Sequence, residues 1–306
     1  MKAFDINIGG KIFDYRLGKR LDQKEVEIFF QKKGYFIEKY LSYPRHLCAL
    51  ISKNDNVMFM KLSTSKGISA VTENEAAWND YMKIQAHPTG VLVPKIHDRG
   101  YYNNLFFYMI TDYLDGPHPT ASVVLANTDR IIDLTEKIMS LKLTPLPADS
   151  YHQGKNHLEK FLNKTKAHFG SVPNEIKNTY KLKNLLRLIE ANVQNLSCRP
   201  RHGDFSPWHL IFDKNNRLCL IDGEHAMSQG VEYYDIAYFI QRAFSVWKKP
   251  EIAKKIYGEL TKRSYDTKKL KTVLAARAIG GFLDESLAPN PDYEMHEEFM
   301  KWIVSI

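Results

Sequence analysis

The chain of 306 residues carries 43 lysines and arginines against 35 aspartates and glutamates, a formal net charge of +8, and 44% of its residues are hydrophobic. This composition is typical of a globular protein and excludes a largely disordered or fibrous chain. No stretch approaches the roughly 18 uncharged apolar residues of a membrane span, and the first residues lack the apolar core of a signal peptide. We therefore expect a cytoplasmic protein without membrane contact and, at roughly 150 residues per domain, about two lobes.

The positive charge and the three cysteines do not by themselves indicate a ligand. A basic chain favours anionic partners, but the lysines are scattered along helical patterns, which favours solvated helix faces, and no nucleic-acid motif is present. The cysteines are odd in number and form no CxxC pair, so neither a disulfide framework nor a zinc site is predicted. We expect no nucleic-acid partner, and the oligomeric state stays open.

The first elements along the chain are a helix and a set of strands. Residues 22 to 33 have helical periodicity, with Val26, Phe29 and Phe30 on one face. Three short runs rich in β-branched, aromatic and aliphatic residues follow, separated by turn-forming stretches, and they read YFIEKYL, LCALIS and VMFMKL. This order predicts a small antiparallel sheet.

The pattern then changes to helical and back to extended. In SAVTENEAAWNDYMKIQA, Glu75, Trp78 and Met82 share one helical face. VPKIHDRG and NLFFYMITDYLDG follow as a strand pair that ends in polar residues.

From Thr120 onward the periodicity is mostly helical. The one β-like break is HLIFDKNNRLCLIDG, and the boundary between the two parts should fall near Gly116. The sequence thus predicts an α+β chain with a small antiparallel sheet in residues 1–115 and a larger, mainly helical part in residues 116–306.

The most informative segment is RHGDFSPWHLIFDKNNRLCLIDGEHA, residues 201–226. It contains an HGD turn, a hairpin that bends at DKNN, and a second aspartate directly after the apolar strand. Such a hairpin would bring Asp204 and Asp222 to the same site. Phosphoryl transfer needs a proton acceptor and a divalent cation, and carboxylates are the hard oxygen ligands that Mg²⁺ prefers. Either motif alone could equally be a plain turn or the end of a strand. Two such motifs at the ends of one hairpin favour a role in phosphoryl transfer.

This segment resembles the motif of the aminoglycoside phosphotransferase and choline kinase family, HGDxxxxN followed by a strand and IDxE or IDxD. The resemblance implies a bilobal protein-kinase-like fold, ATP and Mg²⁺ as cofactors, and a small-molecule hydroxyl acceptor. By it, Asp204 is the catalytic base, Asp222 a magnesium ligand and Glu224 a second acidic group that binds or orients the metal. Asp235 matches the family's YDxA helix start, although an N-cap role explains it equally well.

His209 departs from the family pattern, because it stands where the family has asparagine. Neutral imidazole prefers softer metals than magnesium. His209 therefore binds the second metal poorly, hydrogen-bonds Asp204 or a phosphate, marks a weakened enzyme, or simply packs in the loop. His202 is expected to hold the loop by side-chain hydrogen bonds.

The resemblance also requires a lysine on the third strand and a glutamate on the following helix, whose ion pair places the lysine on the nucleotide phosphates. Lys61 ends the run VMFMK, and Glu75 fits better than Glu73 because it shares the inward face of the helix. The backbone of Asp112 and Leu114 would then pair with the adenine edge.

A glycine-rich phosphate loop is missing from KYLSYPRHLCAL, which has Ser42, Pro44, Arg45 and His46 in its place. Arg45 is either a phosphate contact through its guanidinium or a residue of a solvated turn.

Three functions stay open on this basis. The first is an ATP-dependent kinase acting on a hydroxyl of an aminoglycoside, sugar, choline or homoserine-like acceptor. The second is a pseudokinase-like protein that binds nucleotide or a partner, and the third, disfavoured by the missing activation segment, is a protein kinase. A cationic acceptor would need an acidic pocket, and the candidates near the carboxyl end, equally explained as an exposed helix face, are Asp284, Glu285, Asp292, Glu294, Glu297 and Glu298.

Overall fold

The structure, a computed structural model, describes residues 2–42 and 45–306, and of residues 42 and 84–89 it describes the backbone alone. Within this part the strands are β1 Asp5–Ile8, β2 Lys11–Asp14, β3 Phe36–Ser42, β4 His46–Lys53, β5 Asn56–Ser63, β6 Ile96–Tyr102, β7 Phe106–Asp112, β8 Cys198–Arg201, β9 Leu210–Phe212, β10 Leu218–Leu220 and β11 Met227–Val231. The helices are α1 Gln23–Gln31, α2 Lys66–Thr89, α3 Ala121–Ala126, α4 Thr128–Ser140, α5 Ala148–Tyr151, α6 His157–Ser171, α7 Asn174–Thr179, α8 Leu182–Asn192, α9 Tyr234–Gln241, α10 Pro250–Lys262, α11 Thr267–Ser286 and α12 Glu294–Ser305.

The amino-terminal part is built on one antiparallel sheet with strand order β3-β4-β5-β7-β6. Helix α1 covers one face, where Val26 and Phe30 are fully buried against the sheet. In the central strand β5, Lys61 pairs with Cys48 of β4 and Met109 of β7. Lys61 therefore has a strand on either side and a fixed position.

Helix α2 packs against both halves of the molecule. Its Ala76 joins Phe107 and Met109 in a small cluster with the sheet. Its Trp78 and Met82 instead belong to the large core that the carboxy-terminal helices form. These two contacts are therefore made by different faces of α2. The side chains between the two faces, including that of Glu75, lie where the two halves of the molecule meet.

The predicted elements are confirmed, including the strand pair β6–β7 and the β9–β10 hairpin. The prediction of a single β-like break in the carboxy-terminal part is wrong, because β8 and β11 also pair antiparallel. Their sequences, CRPR and MSQGV, are short, polar and interrupted by proline or glycine, so they carry no strand signal. The β1–β2 hairpin was likewise not predicted.

None of the helices in the described ranges has the length and apolar character needed to cross a bilayer.

Candidate active site

The β9–β10 hairpin brings its two ends together. Leu210 pairs with Leu220, and the amide of Ile221 donates to the carbonyl of His209 at 3.0 Å. The Nε2 atom of His209 lies 3.2 Å from a carboxylate oxygen of Asp222, and its Nδ1 atom lies 3.8 Å from one of Asp204. Potential ligand atoms of Asp204, His209 and Asp222 all fall within 4.8 Å of one another. The structure therefore brings the two aspartates of the sequence motif to one site.

The HGD loop needs glycine at its centre. Gly203 has a φ of +86°, and a Cβ added there would lie 2.2 Å from the backbone carbonyl oxygen of His225. An L-residue would be strained by this φ, and its side chain would also collide with a backbone atom. Gly203 thus lets the chain turn sharply just before Asp204.

Asp235 holds the same loop from outside. Its carboxylate accepts hydrogen bonds from the backbone amides of His202 at 2.7 Å and Gly203 at 2.8 Å. Since Tyr233 occupies the N-cap position of α9, the N-cap interpretation of Asp235 is wrong. Asp235 instead fixes the backbone that carries Asp204.

The expected side-chain hydrogen bonds of His202 are not formed. Neither ring nitrogen has a hydrogen-bond partner among the described residues. The ring is buried in edge contacts with Trp78, at 5.7 Å between centroids, and Phe205, at 6.4 Å. His202 therefore supports the loop by packing.

Lys61 lies at the centre of a buried cluster of charges. Its amine lies 2.7 Å from a carboxylate oxygen of each of Glu75, Asp222 and Glu224. Burial opposes the charge of Lys61, but the three carboxylates outweigh it and raise its pKa well above the ordinary value. Burial likewise opposes the charge of Asp222, but Lys61 prevails and lowers the pKa of Asp222 to about 2.

The three carboxylates around Lys61 repel one another. Burial raises the pKa of Glu75 to about 7 in spite of the adjacent Lys61, with the charge of Asp222 adding to the rise. An additional cation beside Asp222 would relieve this repulsion.

Arg45 and His46 close the other side of the cluster. The Arg45 guanidinium lies 2.7 Å from Glu224, and His46 Nε2 lies 3.2 Å from the same carboxylate. The interpretation of Arg45 as a residue of a solvated turn is therefore wrong. Pro44 lies outside the described residues, as does the side chain of Ser42.

The two glutamates of α2 have separate surroundings. Glu75 is 5% exposed and contacts Lys61, whereas Glu73 accepts a hydrogen bond from the hydroxyl of Tyr101 at 2.9 Å. The structure thus selects Glu75 as the partner of Lys61.

Asp112 and Leu114 lie at the end of β7 and just beyond it. The Asp112 amide donates to the carbonyl of Lys95 at 3.0 Å, and its carboxylate lies 2.6 Å from His97 Nε2. Leu114 uses its carbonyl to accept from the amide of Gly116 at 3.1 Å. The Asp112 carbonyl accepts a hydrogen bond from the Thr111 hydroxyl at 3.3 Å and retains a second lone pair.

A cleft of about 390 Å³ opens beside Asp204, with Trp208 and Tyr238 in its wall. Of the six acidic residues proposed for a cationic acceptor, Asp284 alone lines this cleft, and its carboxylate lies 2.8 Å from the guanidinium of Arg242. These six residues therefore do not form an acidic pocket at the cleft.

The fold is similar to that of known proteins. The model of the phosphotransferase enzyme family matches residues 52–263. One similar solved structure is a thermostable mutant of an aminoglycoside phosphotransferase in ternary complex with ADP and hygromycin B, with 13% identity over 92% of this chain and 98% of that chain and a TM-score of 0.70. Another is an aminoglycoside phosphotransferase from Streptomyces rimosus with ADP and streptomycin, with 15% identity over 85% and 99% of the chains and a TM-score of 0.59.

A third similar structure is the GDP complex of a mutant aminoglycoside 2'-phosphotransferase, with 14% identity over 92% of this chain and 96% of that chain and a TM-score of 0.60. No curated protein matches the chain significantly in sequence. At these identities the structural likeness shows the fold, and it confirms the predicted bilobal, kinase-like α+β architecture.

Proposed function

The chain belongs to the phosphotransferase enzyme family, and on that premise we propose that it transfers the γ-phosphoryl group of ATP to a hydroxyl of a small molecule. The contact that carries the proposal is the 2.7 Å approach of Lys61 to Asp222. It joins the sheet lysine to the hairpin aspartate, which itself lies beside Asp204. The groups to which we assign phosphate binding, metal binding and proton acceptance would thus act at one site.

For the nucleotide, we assign Lys61 to the α and β phosphates, with Glu75 holding it in position. The adenine edge is assigned to backbone groups of Asp112 and Leu114, at the end of β7 and just beyond it. Residues 1–115 would then form the nucleotide-binding lobe and residues 116–306 the catalytic and acceptor-binding lobe. Such use of ATP suits a cytoplasmic protein.

Asp204 is assigned as the base. Burial opposes its ionisation, but His209, His225 and Arg242 together outweigh burial and keep the pKa of Asp204 below its ordinary value. The carboxylate is therefore charged at neutral pH. It accepts the proton of the acceptor hydroxyl while the hydroxyl oxygen bonds to the γ-phosphorus and the bond from that phosphorus to the bridging oxygen of ADP breaks.

The residues beside Asp204 fit a divalent cation. Asp222 offers a hard carboxylate oxygen, and His209 donates from Nδ1 to the Asp204 carbonyl at 2.7 Å, so that Nε2 faces Asp222 and would become a metal ligand on losing its proton. Asp222 and His209 would hold Mg²⁺, while Glu224, already bound to Lys61 and Arg45, would orient the cluster. Bound magnesium would neutralise the nucleotide phosphates.

The second candidate function, a nucleotide-binding pseudokinase, is favoured by one observation, the imidazole of His209 at a magnesium position. The experiment that separates the two measures magnesium-dependent ATP consumption over a panel of sugars, aminoglycosides, choline and homoserine. Turnover with any acceptor supports the kinase. ATP binding without turnover, unchanged in His209→Asn, would favour the pseudokinase.

A further inference from the structure

The cleft beside Asp204 is strongly basic. Six lysine or arginine side chains line it against two aspartates: Arg16, Arg45, Lys164, Arg201, Arg242 and Arg277 against Asp204 and Asp284. Two of these cations are already neutralised, because Arg45 pairs with Glu224 and Arg242 with Asp284. Of the other four, Arg16 is exposed, whereas the remaining three also line a recess next to the cleft.

Three cations from different elements meet there. They are Lys164 of α6, Arg201 at the end of β8 and Arg277 of α11, and all three also line the recess into which the cleft continues. In the part of the chain that the structure describes, none of the three has a carboxylate at ion-pair distance. Their contacts are instead neutral.

Each neutral contact leaves the charge uncompensated. Arg277 bonds the hydroxyl of Tyr234 at 3.1 Å and lies over the ring of Tyr238 at 4.2 Å. Arg201 contacts the sulfur of Met227 at 3.0 Å and lies over the ring of Tyr234 at 3.9 Å. Hydroxyl, thioether and aromatic partners hold a cation in place, but they do not cancel its charge.

These cationic groups are buried, so leaving them without an anionic partner is unfavourable. Arg277 is 5% exposed, and the Nε atoms of Arg201 and Arg277 are buried without a hydrogen-bond partner among the described residues. Burial, with the charge of Arg201 adding to the effect, lowers the pKa of Lys164 to about 8. Buried charges are normally paired, since an unpaired one carries a large desolvation penalty. A bound anion would supply the missing partner.

Three histidines line the recess, and two of them, His152 and His168, also line the cleft. Burial lowers the pKa of both well below the ordinary value, with the charge of Lys164 adding to the effect. They are therefore neutral at neutral pH and can donate one hydrogen bond each. The Nδ1 atom of His152 is buried without a partner in the described part of the structure.

We propose that the acceptor is an anion, a hydroxyl compound bearing a phosphate or carboxylate group that binds between Lys164, Arg201 and Arg277. Its hydroxyl would then lie at Asp204, at the other end of the same cleft. This inference rests on the proposed kinase function and specifies its substrate. The cleft volume of about 390 Å³ is in the range of small-molecule sites.

The charge of the site decides against a polycationic acceptor. Planar guanidinium groups match carboxylate and phosphate oxygens in bidentate geometry, and they repel ammonium groups. We therefore expect the acceptor to carry negative charge, whereas an aminoglycoside carries positive charge.

The test uses four ligands that share one ring: glucose, glucose 6-phosphate, glucuronate and glucosamine. Binding of each to the wild-type chain is measured by calorimetry in the presence of magnesium and ADP, together with inorganic phosphate and acetate as minimal probes. We expect the anions to bind at least tenfold more tightly than glucose, and glucosamine most weakly. The phosphate and carboxylate sugars identify which anion the site prefers.

Variants locate the anion. Arg277→Gln and Lys164→Gln are expected to weaken binding of the preferred anion at least tenfold, whereas Arg187→Gln, which removes an exposed arginine of α8, leaves it unchanged. Two variants are used because either could fail to fold. Failure of every anion to bind the wild-type chain, or equal binding of glucose and both anionic sugars, would overturn the inference.

Turnover separates this inference from the proposed function. ATP consumption is measured with the same four sugars. If the anions bind in a way that depends on Arg277 but no sugar is phosphorylated, the anion site is retained and the kinase function is contradicted. If glucosamine is phosphorylated in preference to the anionic sugars, the kinase function is supported and the anion site is contradicted.

Discussion

The amine of Lys61 lies 2.7 Å from the carboxylate of Glu75, and both side chains are buried. This contact links the central strand β5 to α2, the helix that packs against both halves of the molecule. The same amine contacts Asp222 of the carboxy-terminal hairpin. One lysine therefore aligns the groups that the proposed reaction needs.

Replacing Glu75 should impair nucleotide use more than folding. Burial raises the pKa of Glu75 to about 7, so Glu75→Gln removes only part of a full charge and should cost about 1 kcal/mol of unfolding free energy or less. Lys61 would then be drawn toward Asp222 and Glu224, and we expect kcat/KM for ATP to fall about tenfold or more. Glu73→Gln, on the same helix, is the matched control and should change neither quantity. Equal effects of the two variants would contradict the assignment.

Asp235 should be required for the HGD loop. In Asp235→Asn, an amide group replaces one acceptor oxygen and faces a backbone N–H of His202 or Gly203. Two donors then oppose each other in a buried site, which should cost about 2–3 kcal/mol of unfolding free energy and reduce kcat. Urea unfolding and initial rates measure both effects.

The control for Asp235 is Asp213→Asn. Asp213 also accepts two backbone amides, those of Asn215 and Arg217, but it does so in the exposed hairpin bend. A smaller stability loss and unchanged kcat are expected. If Asp235→Asn retained wild-type stability and kcat, the role given to this carboxylate would be wrong.

A methyl group should not be accommodated at Gly203. The φ of +86° disfavours alanine by about 1–2 kcal/mol, and the contact of 2.2 Å with the His225 carbonyl forces the loop to move. We expect Gly203→Ala to unfold at lower denaturant concentration and to lose activity. Gly258→Ala, at an open position within α10, should instead stabilise the chain by about 0.5–1 kcal/mol. Unchanged activity in Gly203→Ala would mean that this turn does not position Asp204.

His209→Asn should improve the use of magnesium. An asparagine carbonyl is a hard oxygen ligand, whereas imidazole suits softer transition metals. We expect the ratio of initial rates with Mg²⁺ to those with Mn²⁺ to rise in the variant. A hundredfold loss of turnover with both metals would show that His209 has another essential role.

The local parts of the site could be predicted from the sequence. Helical and strand periods identify Lys61 and Glu75, and the hairpin between Asp204 and Asp222 spans few residues, so its ends are forced together. The role of Asp235 could not be predicted, because an acid in the first turn of a helix serves the helix itself in most settings. Only the packing of α9 beneath the HGD loop turns its carboxylate toward other amides.

The acceptor end of the cleft had no sequence signal. Lys164, Arg201 and Arg277 belong to three elements that are far apart in the sequence, and the first two have exposed basic neighbours, Lys166 and Arg199. Charge patterns along one helix cannot reveal that such residues converge. The six acidic residues near the carboxyl end could be identified from the sequence because they are close together in it. Of these six, Asp284 alone lines the cleft.

The measurement that tests the account most directly compares magnesium-dependent ATP consumption by the wild-type chain and Asp204→Asn with the acceptor found by screening. The amide keeps the size of the side chain but cannot accept the hydroxyl proton, so kcat should fall by about 10²–10⁴ while ATP binding and the unfolding midpoint stay close to wild type. Full turnover by a correctly folded Asp204→Asn protein would contradict the account.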